Sequence, residues 1–119
     1  MKKLLVPIII IAMYGCGKSD EIAPEVTVIS PADNQSFTGG QTVTVKANIK
    51  DNEGIHMVHA ICMDDLGSHM LHFEEHLDAK TYTLNQSFPT ISGRTYTLEV
   101  EATDHEENVT KKIVVVRTN

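Results

Sequence analysis

Ligand-type side chains crowd one short stretch of this 119-residue chain. Ile55–His76 carries His56, His59, His69, His72 and His76, five of the six histidines, together with Met57, Met63, Met70 and Cys62. Imidazole nitrogens, backed by carboxylates, are the usual ligands of Zn²⁺ and Cu²⁺. The spacings His56-x-x-His59, His69-x-x-His72 and His72-x-x-x-His76 resemble metal-ligand spacings, and on a helix the last would place two rings on one face. On a strand, residues three apart point to opposite faces, and residues four apart on one face stand about 13 Å apart. If the stretch is a β-hairpin, any shared ion must therefore be held across strands.

The hairpin register then decides which histidines meet. Pairing Met63 with Ser68 places His59 opposite His72 and turns Leu71 and Phe73 to the side of Val58 and Ala60. Pairing Asp64 with Ser68 across Asp65-Leu66-Gly67, with Gly67 as a bulge, places His56 opposite His76 and sends His72 and Glu74 inward. The first register is preferred. It buries Leu71 and Phe73, worth about 1.5–3 kcal/mol each, and avoids burying an unpaired Glu74, which costs several kcal/mol. In that register a Zn²⁺ or Cu²⁺ site is expected at His59 and His72, with Glu99 or Glu101 supplied by a neighbouring strand. His56 and His76 are the alternative pair. The plainer expectation is a set of half-exposed strand histidines with no ligand.

Two other sets of residues could hold an ion. Asp51, Glu53, Asp104, Glu106 and Asn108 fall in two turns expected at the same end of the domain, where oxygen ligands could bind Ca²⁺. The competing expectation is ordinary turn chemistry, with Asp and Asn hydrogen-bonding their own backbone. Cys62 shares the inward parity of Val58 and Ala60 and reads as a buried thiol, with a Zn²⁺ or Cu²⁺ thiolate beside His69 as the sharper alternative. No Ser-His-Asp set, phosphate loop or paired acids in an apolar cleft is present, so no enzymatic activity is expected. Six aromatic residues and no Trp give little for stacking sugars.

The elements that would position these residues are strands. Period-two alternation rich in β-branched residues marks seven of them, at 26–30, 41–50, 55–63, 69–75, 81–88, 94–104 and 109–116. Turn clusters separate them, including Pro31–Asn34, Asp51–Gly54, Asp64–Gly67, Asp78–Lys80 and His105–Asn108. Arg94–Asp104 is the cleanest, with Tyr96, Leu98, Val100 and Ala102 inward. No stretch is convincingly helical. The pattern predicts an all-β, seven-stranded Greek-key β-sandwich over residues 25–119.

Residues 1–15 read as a targeting segment, with Lys2 and Lys3 ahead of the apolar run Leu4–Met13, which is too short to span a bilayer. Gly15-Cys16 resembles the bacterial lipoprotein signal, in which the cysteine is acylated. Met13 stands where leucine is usual, and Tyr14 is bulky for its place. Residues 16–24 form a polar tether, and Lys18–Glu21 resembles the acidic export signal of Bacteroidota surface lipoproteins. The resemblance implies an outer-membrane lipoprotein on the periplasmic or cell-surface face, held to the membrane through Cys16. Without Lys2 and Lys3, eight basic side chains face sixteen acidic ones, a formal charge of −8. That balance argues against nucleic acid as a partner.

Ser30-Pro31-Ala32-Asp33, Asp51-Asn52-Glu53-Gly54-Ile55 and Val100–Asp104 followed by Asn108-Val109-Thr110 resemble bacterial immunoglobulin-like domains. An "SPxdgxxf" start, a "DxxGI" turn and an "AxDxxGN" turn recur there at this spacing, across residues 25–117. The resemblance implies an immunoglobulin-like fold and, for function, a non-catalytic binding or scaffold module for a protein or glycan. The alternative expectation is a Zn²⁺- or Cu²⁺-binding protein that uses the cross-strand histidines.

Overall fold

The computed structural model describes residues 21–119. Residues 1–20, with the expected signal segment, Cys16 and most of the tether, lie outside the described residues. Six strands form: β1 (Glu25–Ser30), β2 (Gln35–Phe37), β3 (Thr42–Asp64), β4 (His69–Pro89), β5 (Thr95–Asp104) and β6 (Val109–Thr118). All join one hydrogen-bonded sheet in the order β1-β3-β5-β6-β2, with β4 paired along both halves of β3, from Thr42↔Pro89 to Met63↔His69. Pairing is antiparallel except between β2 and β6.

The expected seven-stranded, two-sheet Greek-key sandwich does not form; the described residues make a single curled sheet of six strands. The expected strands 41–50 and 55–63 are one 23-residue strand, and 69–75 and 81–88 are one 21-residue strand. The cause lies at Asp51–Gly54 and Asp78–Lys80, which read as turns but sit beside each other on paired strands. From Lys50↔Thr81 to Ile55↔Ala79 the chain advances five residues on β3 and two on β4, and the ladder resumes. This is a bulge, which bends and twists a strand without ending it. The bend also switches the inward parity of β3 from Val43, Val45, Ala47 and Ile49 to Val58, Ala60 and Cys62, all buried.

The curl closes over one core. Tyr96, Leu98, Val100 and Ala102 of β5 meet Val114 and Val116 of β6, Leu84 and Phe88 of β4, Val26 of β1 and both halves of β3. Phe88 and Tyr96 pack with ring centroids 5.6 Å apart. The Tyr96 hydroxyl, carried into the interior, accepts a hydrogen bond from the Ile91 amide at 2.7 Å. Each large apolar side chain taken from water contributes about 1.5–3 kcal/mol. Cys62 is the free cysteine among the described residues, so the core holds this part of the chain without a disulfide.

Candidate metal centre

The β3–β4 hairpin adopts neither expected register throughout. Its tip follows the second: the Asp64 amide donates to Ser68 O at 3.0 Å, and Gly67 has φ +80°. A bulge then falls between Cys62↔Leu71 and Met63↔His69, leaving Met70 unpaired. Beyond it the faces are those of the first register, because Leu71 and Phe73 lie opposite Cys62 and Ala60 and are partly buried against the core. Ladder partners are displaced by two residues from that expectation. A two-residue displacement keeps every side chain on its face, so His59, His72 and Glu74 remain outside.

His59 lies opposite Glu74, and His72 lies opposite Ile61 in the next row. The His59 and His72 rings meet edge-on, with centroids 5.3 Å apart. Two imidazoles that share a tetrahedral ion at about 2.0–2.1 Å per nitrogen have centroids about 5.2 Å apart. One ligand atom each from His59, His72 and Glu74 falls within a mutual separation of 4.8 Å. His59 is half-buried, and its Nε2 is buried with no hydrogen-bond partner. A buried, unpartnered imidazole nitrogen is costly, and a cation would satisfy it. This cluster could coordinate a divalent metal ion.

Glu101 of β5 lies directly opposite His59, but its carboxylate pairs with Lys111 Nζ at 3.6 Å. Glu99 lies opposite Ile61 on one side and Ile113 on the other. Neither joins the His59/His72/Glu74 group. His56 and His76 are exposed, with ring centroids 5.7 Å apart. Asp51 and Asp104 are buried and bond their own backbone, Asp51 within the β3 bulge and Asp104 in the β5–β6 turn. Asp51 Oδ2 accepts from the amides of Glu53 and Gly54 at 3.0 and 2.8 Å. Asp104 Oδ1 accepts from the amides of Glu106 and Asn108 at 2.9 and 2.8 Å, and its Oδ2 from Asn108 Nδ2 at 2.8 Å. Glu53 and Glu106 are exposed. Cys62 is fully buried, and its thiol is pushed up to about 12, first by burial and then by the Asp64 charge. It is protonated at neutral pH, and His69 is paired with Met63.

Glu74 was legible in principle. It lies two residues from His72 and shares its face in any register that turns Leu71 and Phe73 inward. The sixth histidine, His105, sits in the β5–β6 turn, which Ile55↔Asp104 pairing sets against the β3 bulge. The expected sandwich set these two segments at one end; in the curled sheet the Ile55↔Asp104 pairing does so, and it brings His105 to His56, with centroids 4.9 Å apart.

Among curated proteins, none matches this sequence. Among solved structures, it is similar to a chain of the crystal structure of the complex between zinc 2-glycoprotein and prolactin-inducible protein from human seminal plasma. The TM-score is 0.60 at 9% identity, over 82% of this chain and 95% of that one, a likeness of fold. The bacterial Ig domain family matches residues 24–100. That match spans more than half of the sequence, so the chain belongs to the bacterial Ig domain family, whose Ig-like domains are non-catalytic scaffolds.

Proposed function

We propose that this domain is a metal-binding module of the cell envelope, taking Zn²⁺ or Cu²⁺ at His59, His72 and Glu74 and tethered to the outer membrane by acylated Cys16. One observation carries the metal reading: an unpartnered, buried His59 Nε2 beside a second imidazole and a carboxylate. Two nitrogens and one oxygen suit a borderline divalent cation better than Ca²⁺, which prefers oxygen ligands alone. The fourth position stays open to water or to a donor from a partner. The test is Zn²⁺ and Cu²⁺ titration of the purified full chain. Binding in the micromolar range is expected, weakened at least tenfold by His59→Ala, His72→Ala or Glu74→Gln. Affinity unchanged in the His59→Ala/His72→Ala double variant would sink the reading.

A second reading is supported by the same face of the sheet. Ile113 and Val109 of β6 are 55% and 51% exposed, and Met63 of β3 is 37% exposed. Exposed apolar side chains on an open sheet suit contact with a protein or glycan. The similar human chain is recorded in a protein–protein complex, which fits such a role. An envelope partner captured from native membranes by the wild-type chain should be lost with Ile113→Asp. Equal capture by both would remove this face from the account.

A further inference from the structure

The six histidines form two groups of neighbouring rings, His105-His56-His76 and His59-His72-His69, linked by Glu74. His105 meets His56 at 4.9 Å between centroids, His56 meets His76 at 5.7 Å, and His76 Nε2 bonds Glu74 Oε1 at 3.1 Å. Glu74 joins His59 and His72, and His72 lies 6.5 Å from His69. The 4.9 and 5.7 Å separations bracket the value of about 5.2 Å for two imidazoles on one tetrahedral ion.

Three elements supply the rings at the His105 end. His56 belongs to β3, but neither the β4 nor the β5 ladder includes it, because both shift register between Ile55 and Met57. A bulge of this kind re-aims a side chain that regular pleating would commit to one face. His76 comes from β4 and His105 from the β5–β6 turn. Gly54 leaves the room they need: its φ is +147°, and a Cβ there would stand 3.3 Å from His105 Cδ2 and 3.3 Å from Asp78 Oδ1.

Two of the three rings are held by carboxylates. Asp78 Oδ1 lies 3.1 Å from His105 Nε2, and Glu74 Oε1 lies 3.1 Å from His76 Nε2. A carboxylate on one ring nitrogen is the arrangement that orients a ligating imidazole and raises its basicity. It leaves Nδ1 of each ring for an ion. The three rings are exposed, and to share one ion they would have to turn about their side-chain torsions, since among the described residues only His59, His72 and Glu74 already gather ligand atoms within 4.8 Å.

We propose that His56, His76 and His105 form a second binding site for a divalent transition-metal ion of the Zn²⁺/Cu²⁺ class, oriented by Asp78 and Glu74. Three imidazoles with an open fourth position are an established Zn²⁺ set. The second site stands on its own ligands. If the first site also fills, Glu74 serves both, one oxygen toward His76 and the carboxylate toward the ion at His59 and His72.

Zn²⁺ titration of the purified full chain tests this, with equivalents counted by calorimetry and each imidazole followed by NMR. Two equivalents are expected at micromolar Zn²⁺. His105→Ala should lose one equivalent and leave the Zn²⁺-dependent shifts of His59 and His72. The His59→Ala/His72→Ala variant should lose the other and leave those of His56, His76 and His105. His56→Gln carries the same expectation as His105→Ala without altering the β5–β6 turn, and circular dichroism of each variant should match the wild type. A single equivalent that survives both His105→Ala and His56→Gln overturns the inference while leaving the first site standing. An equivalent lost in those variants but untouched by His59→Ala/His72→Ala supports the inference and removes the first site.

Discussion

Tyr82 carries a consequence of local environment that its sequence neighbours do not show. Its hydroxyl donates to Glu75 Oε2 at 2.6 Å across seven residues of β4. Burial, the hydrogen bond to Glu75 and the Glu75 charge together push its ionisation from the ordinary 10 up to about 12. The folded chain thus holds this proton more tightly than the unfolded chain does. The resulting stabilisation is complete below pH 10 and is lost as pH rises from there through about 12. Phenolate absorbance, read as the difference between wild type and Tyr82→Phe, should show Tyr82 titrating above the usual tyrosine range. Glu75→Gln removes the charge and should bring the titration back toward that range, with a shallower alkaline loss of stability. A wild-type Tyr82 that ionises at the usual tyrosine pH would contradict the pairing. Legibility at this scale divided by kind. The core faces, with Cys62 inward, followed from alternation alone. Glu74 shared the outward face of His72 by the same alternation, whereas His105 did not follow from it, because it joins a cluster only through the β3 segment that lies next to its turn.

Turns repay comparison at the scale of elements, because the β3–β4 and β5–β6 connections are built alike. In each, an Asp opens the turn and its Oδ1 accepts two amides: Leu66 and Ser68 for Asp64, Glu106 and Asn108 for Asp104. In each, the opening amide also donates to the carbonyl four residues on, Asp64 to Ser68 and Asp104 to Asn108. The fourth residue of each has positive φ, +80° at Gly67 and +64° at Glu107. Glycine adopts that conformation freely, whereas a residue with a Cβ pays about 1–2 kcal/mol. Glu107 stands where the related turn motif carries glycine and is therefore strained. Glu107→Gly should stabilise the domain by about 0.5–1 kcal/mol, after the entropy that glycine adds to the unfolded chain is subtracted. In a domain of this size that raises Tm by about 2–8 °C. A scanning calorimetry trace with unchanged or lowered Tm would show that the Glu107 side chain makes a compensating contribution. The turn residues were legible from Asp, Asn and Gly. Their equivalence was not, since Asp64–Ser68 and Asp104–Asn108 share only the first residue type.

For the whole molecule, the difference between the expected sandwich and the observed curled sheet comes from the treatment of two polar clusters. Asp51-Asn52-Glu53-Gly54 has the composition of a turn, and Asp78-Ala79-Lys80 is polar enough to interrupt a strand. Read singly, each ends an element. Read as neighbours on paired strands, they bulge together, and β3 and β4 run through the bend. Only the pairing reveals which occurs, and pairing is a long-range property that local composition does not contain. The same bend explains why the histidines gather. It removes His56 from both ladders, brings the β5–β6 turn with His105 against Gly54, and leaves the outer face of the hairpin to His59, His72 and Glu74. A sheet broken into two separate layers at Asp51 would carry the same histidines on the same strands without a bulge to aim His56. The continuous strand is therefore the structural condition for a line of ligands that runs from the turn to the hairpin, and the irregularity at Ile55–Met57 positions it more than the regular pleat on either side.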